Sequence, residues 1–286
     1  METIADVEVT TTQAGPICRI EPSKGWAALK LGELWHYREL LYFLAWRDIQ
    51  VRYKQTAIGV GWVVMQPLAT MAIFTLIFGW LAKMPSDGLP YSIFSFTGLL
   101  PWNYFSQAFT RSGASLVANA SLISKVYFPR LIVPLSAVVV PLIDFGVTFL
   151  ALTGMMLWFS IAPTWQWLVL PLFLSFAAIS ALAVGLWLAA LNVRYRDVAH
   201  TIPFLVQFWM FASPVAYPAS LVPEKWRFLY GLNPMVGVIE GFRWCLLGTG
   251  TLDRGGLAVS AVTVLALLWG GIIFFKRMEK TFADVV

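Results

Sequence analysis

Long charge-free runs, separated by short basic or turn-forming segments, set the pattern of this chain. Between Lys54 and Lys83 lie 28 residues without one Asp, Glu, Lys or Arg, including IGVGWVVMQPLATMAIFTLIFGWLA. A hydrocarbon core about 30 Å thick is spanned by about 20 helical residues. The run therefore predicts a membrane-crossing helix with room to tilt. Cation-rich RDIQVRYKQT precedes it and the turn KMPSDGLP follows it. The chain is expected to enter the membrane from a basic side and to turn round on the other.

The pattern recurs. Further charge-free runs cover Gly88–Thr110, Phe145–Val193, Val198–Pro223 and Gly255–Phe275. The run from Phe145 is long enough for two helices, broken at SIAPTWQW, where Pro163 ends a helix and the Trp pair marks an interface. Leu131–Ser160 forms the first of these, with Asp144 inside it. Six spans are expected, near 58–82, 90–110, 131–160, 168–192, 200–220 and 256–275. The fold class is all-α: a polytopic membrane protein with about six transmembrane helices, an N-terminal amphipathic interface helix and short outer re-entrant helices. Residues 1–32 read as a flexible cytoplasmic tail and 33–286 as one transmembrane domain.

Composition agrees. The chain is 59% hydrophobic and 12% charged, with 14 Trp and 21 Phe, against about 25% charged residues in a soluble domain. With the N-terminus cytoplasmic, 15 of the 20 Lys and Arg fall on the cytoplasmic side. The others are Lys83, Lys225, Arg227, Arg243 and Arg254. The positive-inside bias thus favours both termini in the cytoplasm. The net charge of +5 is accounted for by topology, and no nucleic acid is needed to explain it. Cys18 and Cys245 fall on opposite sides, so no disulfide framework is expected. No cleavable signal pattern precedes the first span, which is expected to act as its own membrane signal.

Two flanking segments carry further information. Before the first span, Trp35, Tyr42, Trp46, Ile49 and Tyr53 recur at helical steps, with His36, Glu39, Arg47, Gln50 and Lys54 on another face. This suits a helix lying in the membrane interface, or a packed soluble helix. Between Pro218 and Leu252 an outer segment is apolar but broken at Gly231, Asn233 and Pro234. Its runs are too short to span and suit two short helices that enter and turn back. They form either a structural cap or an outer gate, with Trp226, Tyr230, Asn233, Pro234 and Trp244 as gate candidates.

Little in the sequence suggests catalysis. No G-x-x-x-x-G-K-[ST] loop is present to cradle phosphates. His36 and His200 are far apart, and no Cys/His cluster has metal-ligand spacing. No catalytic, cofactor or metal site is expected. Asp144, near the middle of a span, reads chiefly as a hydrogen-bonded packing element. The other reading is functional, although a proton-coupled carrier would show a fuller relay. A secondary transporter or membrane enzyme would also show charge pairs or catalytic clusters that are not evident.

The segments LLYFLAWRDIQVRYKQTAIGVGWVVMQPLATMAIFTLIFG, KVYFPR, LNVRYRDVAHTIPFLVQFWMFASPVAYP and LNPMVGVIEGFRWCLLG together resemble the type-2 ABC exporter permeases. The branch is that of polysaccharide and polyol-phosphate exporters, which serve O-antigen, capsule and wall teichoic acid. The resemblance covers roughly residues 33–280 and suggests no role for the N-terminal tail. It implies two permease chains working as a homodimer with two copies of a cognate ABC ATPase. ATP and Mg would bind the ATPase, and this chain would bind no cofactor. The chain would sit as a multi-pass subunit in the bacterial plasma membrane and move a lipid-linked glycan outward. An ABC exporter of drugs or lipids is the alternative within the same class.

The resemblance also assigns roles by position. Contact with the ATPase falls to Asn119–Arg130, with Lys125, Tyr127, Phe128, Pro129 and Arg130, and to the 194–197 turn, with Arg194, Arg196 and Asp197. Arg47 and Arg52 of the interface helix join them. Tyr127 and Phe128 are expected as an exposed apolar knob between two cations, of the kind that anchors interfaces. The first and fifth spans would line the pathway, presenting Trp62, Gln66, Phe74 and Phe78, then Phe204, Gln207, Phe208, Trp209 and Phe211.

Overall fold

A computed structural model describes residues 31–54, 59–248, 252–279 and 282. The tail expected over 1–32 lies outside the described residues, apart from its last two, which open helix α1 (Leu31–His36). After a turn at Tyr37 comes α2 (Arg38–Lys54). Helix α3 (Gly59–Phe74) runs on as a π-helical stretch, Thr75–Leu81. The turn that follows reverses the chain through Lys83, Asp87 and Gly88, all at positive φ. The rest is helical: α4 (Tyr91–Ala118), α5 (Ala120–Lys125), α6 (Ile132–Val139) and α7 (Pro141–Trp158). A 3-10 turn at Trp165–Val169 leads into α8 (Leu170–Arg194). Then come α9 (Val198–Phe211), α10 (Glu224–Gly231), α11 (Pro234–Leu247) and α12 (Arg254–Glu279).

Among the described residues, four helical stretches are long and apolar enough to cross a membrane: Gly61–Leu81, Ile132–Trp158, Trp165–Arg194 and Arg254–Glu279. The second and fifth expected spans correspond to α4 and α9, and each differs from its expectation for a physical reason. Helix α4 has 28 residues and runs on past Arg111, where the charge-free run ended, to Ala118. It is the central helix, most of its side chains are buried, and its heaviest packing is against α8. Protein surrounds it where lipid would otherwise lie, so its many polar side chains are tolerated. Several of its Ser and Thr hydroxyls bond its own backbone: Thr97 donates to the Ile93 carbonyl at 2.8 Å and Ser115 to that of Ser112 at 2.7 Å.

Close approach of α4 and α8 depends on small residues. A Cβ at Gly185 would stand 2.4 Å from Ser112 Oγ, and one at Gly113 would stand 3.2 Å from Leu188 Cβ. Small residues at such crossings let backbones meet, the usual basis of helix association in lipid. Asn192 Nδ2 seals the crossing with a 3.2 Å bond to the Gly113 carbonyl.

Helix α9 stops at Phe211, after 14 residues, where a span to about residue 220 was expected. Residues 212–218 are irregular, and Ser213, Pro214, Val215 and Ala216 are buried. Irregular backbone at depth needs protein to take its polar groups. Here Arg243 Nη2 donates to the Val215 carbonyl at 2.9 Å, and Asn233 Nδ2 to that of Ala212 at 3.1 Å. The donors come from the α10–α11 segment. Its two helices are too short to cross, as the broken apolar pattern predicted. Asn233 also caps α11, accepting from the Met235 amide at 3.0 Å. Gly231 is buried, and its carbonyl takes a 2.8 Å bond from Ser260 of α12.

Candidate functional site

Three groups of side chains stand out. The first surrounds Asp144, which is only 3% exposed on α7. Its carboxylate accepts from the Tyr53 hydroxyl and forms an ion pair with Arg52, both at the end of α2. Arg52 also donates to Gln107 Oε1 on α4 at 3.1 Å. Burial, followed by the Asp144 hydrogen bond, pushes the Tyr53 phenol up to about 12. Arg111 on α4 shares the field of Arg52, Asp48 and Asp144. Asp144 is therefore not the solitary group the sequence suggested. Its partners come from a helix the sequence reading placed in the interface, so no local pattern could reveal them.

These groups form one wall of a cavity of about 660 Å³ between α2, α3, α4 and α7. Trp62 and Gln66 of α3, Asn103 and Gln107 of α4, and Thr148 of α7 also line it. Two residues expected along the pathway thus meet a residue expected at the ATPase contact. The other first-span candidates lie elsewhere. Phe74 is buried in the core, with Phe78 packed edge-on at 5.4 Å. Arg47 pairs with Asp48 at 2.7 Å and donates to Asn119 Oδ1 at 2.8 Å, which ties α2 to the end of α4. Trp35, Tyr42 and Trp46 point outward from α1 and α2, with Tyr42 stacked on Trp46. The opposite face seats Leu44 and Ala45, with α6 as the main neighbour of α2.

The second group follows α9. Phe204, Gln207, Phe208 and Phe211 form an exposed ridge, with Phe204 stacked on Phe208 at 6.4 Å. Trp209 turns inward against Phe105 and Phe109, and its indole donates to Asn233 Oδ1 at 2.8 Å. A second cavity, of about 450 Å³, opens between Phe208, Trp226, Tyr230 and Asn233. Three of the gate candidates therefore adjoin the α9 ridge. The other two do not: Pro234 is buried at the start of α11, and Trp244 packs on Trp165 at 5.9 Å.

The third group is at the end where α4 and α8 finish. Lys125 and Tyr127 are exposed, Tyr127 at 79%. Phe128 is only 5% exposed, so the expected pair of exposed aromatics is corrected to one. The cause is the extended backbone after α5, which sends consecutive side chains to opposite faces. Pro129 is half-buried, and Arg130 turns toward the C-terminal helix. Arg130 donates to the Glu279 carbonyl and lies 5.8 Å from the Phe282 ring, while Lys276 holds the Glu279 carboxylate at 2.8 Å. Arg194, Arg196 and Asp197 are exposed on the α8–α9 turn.

Sequence reasoning also missed Arg243. Counted as an outer cation, it is 2% exposed, bonded to Glu240 at 3.0 Å and seated 3.7 Å from the centre of the Phe94 ring. Among the described residues, no three His, Cys, Asp or Glu side chains converge to hold a metal ion.

The chain matches the family model described as ABC-2 type transporter over residues 39–247. It is 29% identical over 256 residues to the O-antigen export system permease protein RfbA of Myxococcus xanthus, covering 89% of this chain and 98% of the relative. A protein of the same name from Klebsiella pneumoniae is 28% identical over 87% of this chain and 95% of its own length. The polysialic acid transport protein KpsM of Escherichia coli is 24% identical over 82% of this chain and 91% of its own length.

Proposed function

The chain belongs to the ABC-2 type transporter family, and on that premise we propose that it is the membrane subunit of an ATP-driven exporter of lipid-linked polysaccharide. The glycan, of O-antigen, capsule or teichoic-acid type, moves from the cytoplasmic to the outer side of a bacterial plasma membrane. Both termini are cytoplasmic. Two copies of the chain face each other around the path, and two copies of a cognate ATPase hold ATP and Mg. Family membership implies the ABC ATPase partner. The 119–130 and 194–197 segments, with Lys125, Tyr127, Arg194, Arg196 and Asp197 exposed, supply its docking surface.

One observation carries the substrate: similarity to two named O-antigen export permeases across nearly their whole length. The side chains suit the same cargo. The α9 ridge and the Trp62–Gln66 wall combine aromatic faces with neutral amides. Rings stack on the CH faces of sugars, each contributing about 1 kcal/mol by analogy with aromatic pairs. Weak, repeated contacts let a polymer slide, whereas desolvated charges would hold it strongly.

The test is deletion of the gene in its host. The expected result is loss of surface glycan with its lipid-linked precursor accumulating inside. Unchanged surface glycan without internal accumulation would favour the drug or lipid exporter instead.

A further inference from the structure

The cavity beside Asp144 is built more elaborately than a passage wall requires. Its volume, about 660 Å³, lies within the range of ligand pockets, roughly 300–1,000 Å³. It has an exposed aromatic plate, Trp62, and planar polar groups on the same wall: Gln66, Asn103, Gln107 and Asp144. Val63, Leu100 and Phe145 complete the apolar part of the wall.

We propose that this cavity is a binding subsite for a neutral saccharide, occupied by a short stretch of the glycan before it enters the pathway. The proposal rests on the export reading above. Three ligand classes can be separated by the chemistry of the wall. An acyl chain would leave the amide N–H groups of Asn103 and Gln107 without acceptors, and unpaired polar groups are costly. A phosphate would meet the Asp144 carboxylate, while Arg52 is already committed to Asp144 and Gln107. The Arg52–Asp144 pair has no net charge and so favours a neutral ligand.

A saccharide satisfies both halves of the wall. Its CH face lies on Trp62, and its hydroxyl edge exchanges hydrogen bonds with the amides of Gln66, Asn103 and Gln107, while Asp144 stays committed to Tyr53 and Arg52. The cavity lies where α3 begins and α2 ends. In the proposed topology this is the cytoplasmic half, from which the cargo departs.

The experiment uses the full chain in its host membrane, in a Cys18→Ser background. Asn103→Cys is reacted with N-ethylmaleimide in membranes from two strains. One makes the lipid-linked glycan. The other lacks the first sugar transfer and keeps only the lipid phosphate. Protection follows occupancy, so labelling slows about threefold when the precursor stands at twice its Kd. Asp253→Cys, exposed just before α12 and outside the spans, should label equally in both strains. Gln66→Cys, which is exposed, replaces Asn103→Cys if that variant fails to insert. Equal rates at the cavity position in both strains, with surface glycan still dependent on the chain, would overturn the subsite and leave the export reading intact. Surface glycan independent of the chain would overturn the export reading itself.

Discussion

Arg243 on α11 places its guanidinium 2.9 Å from the carbonyl of Val215, in the irregular segment that ends α9. The same side chain reaches the Tyr217 carbonyl at 3.4 Å. One buried cation therefore takes two carbonyls of the irregular segment that follows α9. Arg243→Met would keep the length and lose every donor. Two carbonyls would then lack this partner, at about 1–3 kcal/mol each. The expected result is a sharply shorter half-life of the folded chain on heating in detergent. A half-life equal to wild type would mean that the turn holds itself.

The burial difference between Tyr127 and Phe128 separates two effects that sequence alone merges. Tyr127→Ala should leave stability within about 0.5 kcal/mol, as exposed positions do. It should weaken co-purification with the ATPase by about 2 kcal/mol, the loss typical of an aromatic anchor. Phe128→Ala should do the reverse, lowering stability by about 3–5 kcal/mol through a cavity. Thermal stability and ATPase retention, measured on both variants, check the division. Full ATPase retention by Tyr127→Ala would remove Tyr127 from the docking surface.

The Arg52–Asp144 pair should behave asymmetrically. Asp144 is buried and Arg52 is partly exposed. Arg52→Met leaves a buried carboxylate without its cation, and breaking buried pairs costs about 3–5 kcal/mol. Asp144→Leu leaves a cation that can reach water and should cost less. The double variant Arg52→Met/Asp144→Leu should be more stable than Arg52→Met alone. Additive losses in this cycle would contradict the pairing.

How far the sequence could be read follows from the range of each interaction. The first span was visible because a charge-free run needs no knowledge of neighbours. The end of α4 was not, because Arg111 breaks the run while the surrounding protein, rather than lipid, receives it. The broken 218–252 segment announced two short helices through Gly231, Asn233 and Pro234. The depth of Arg243 depends on Val215, Tyr217 and Phe94, which no local pattern connects to it. Asp144 looked alone for the same reason, since Arg52 and Tyr53 lie on a helix that precedes the first span.

The α9 ridge gives a prediction about transport rather than folding. Phe208 is 66% exposed, so Phe208→Ala should leave the heat stability of the chain close to wild type. Export should slow without stopping, because each ring contributes only about 1 kcal/mol. A Trp62→Ala/Phe208→Ala double variant should be more severe. Surface glycan per cell is the measurement, and wild-type export by the double variant would place these rings against lipid.

The most direct test of the account uses inverted membrane vesicles, which expose the cytoplasmic face. They carry this chain with its cognate ATPase, and lipid-linked glycan is presented on the outer surface. A glycan-degrading enzyme added outside then reports where the polymer is. The account predicts that ATP renders the glycan resistant, and only when both the chain and the ATPase are present. Glycan that stays fully degradable with ATP and both proteins present would contradict it.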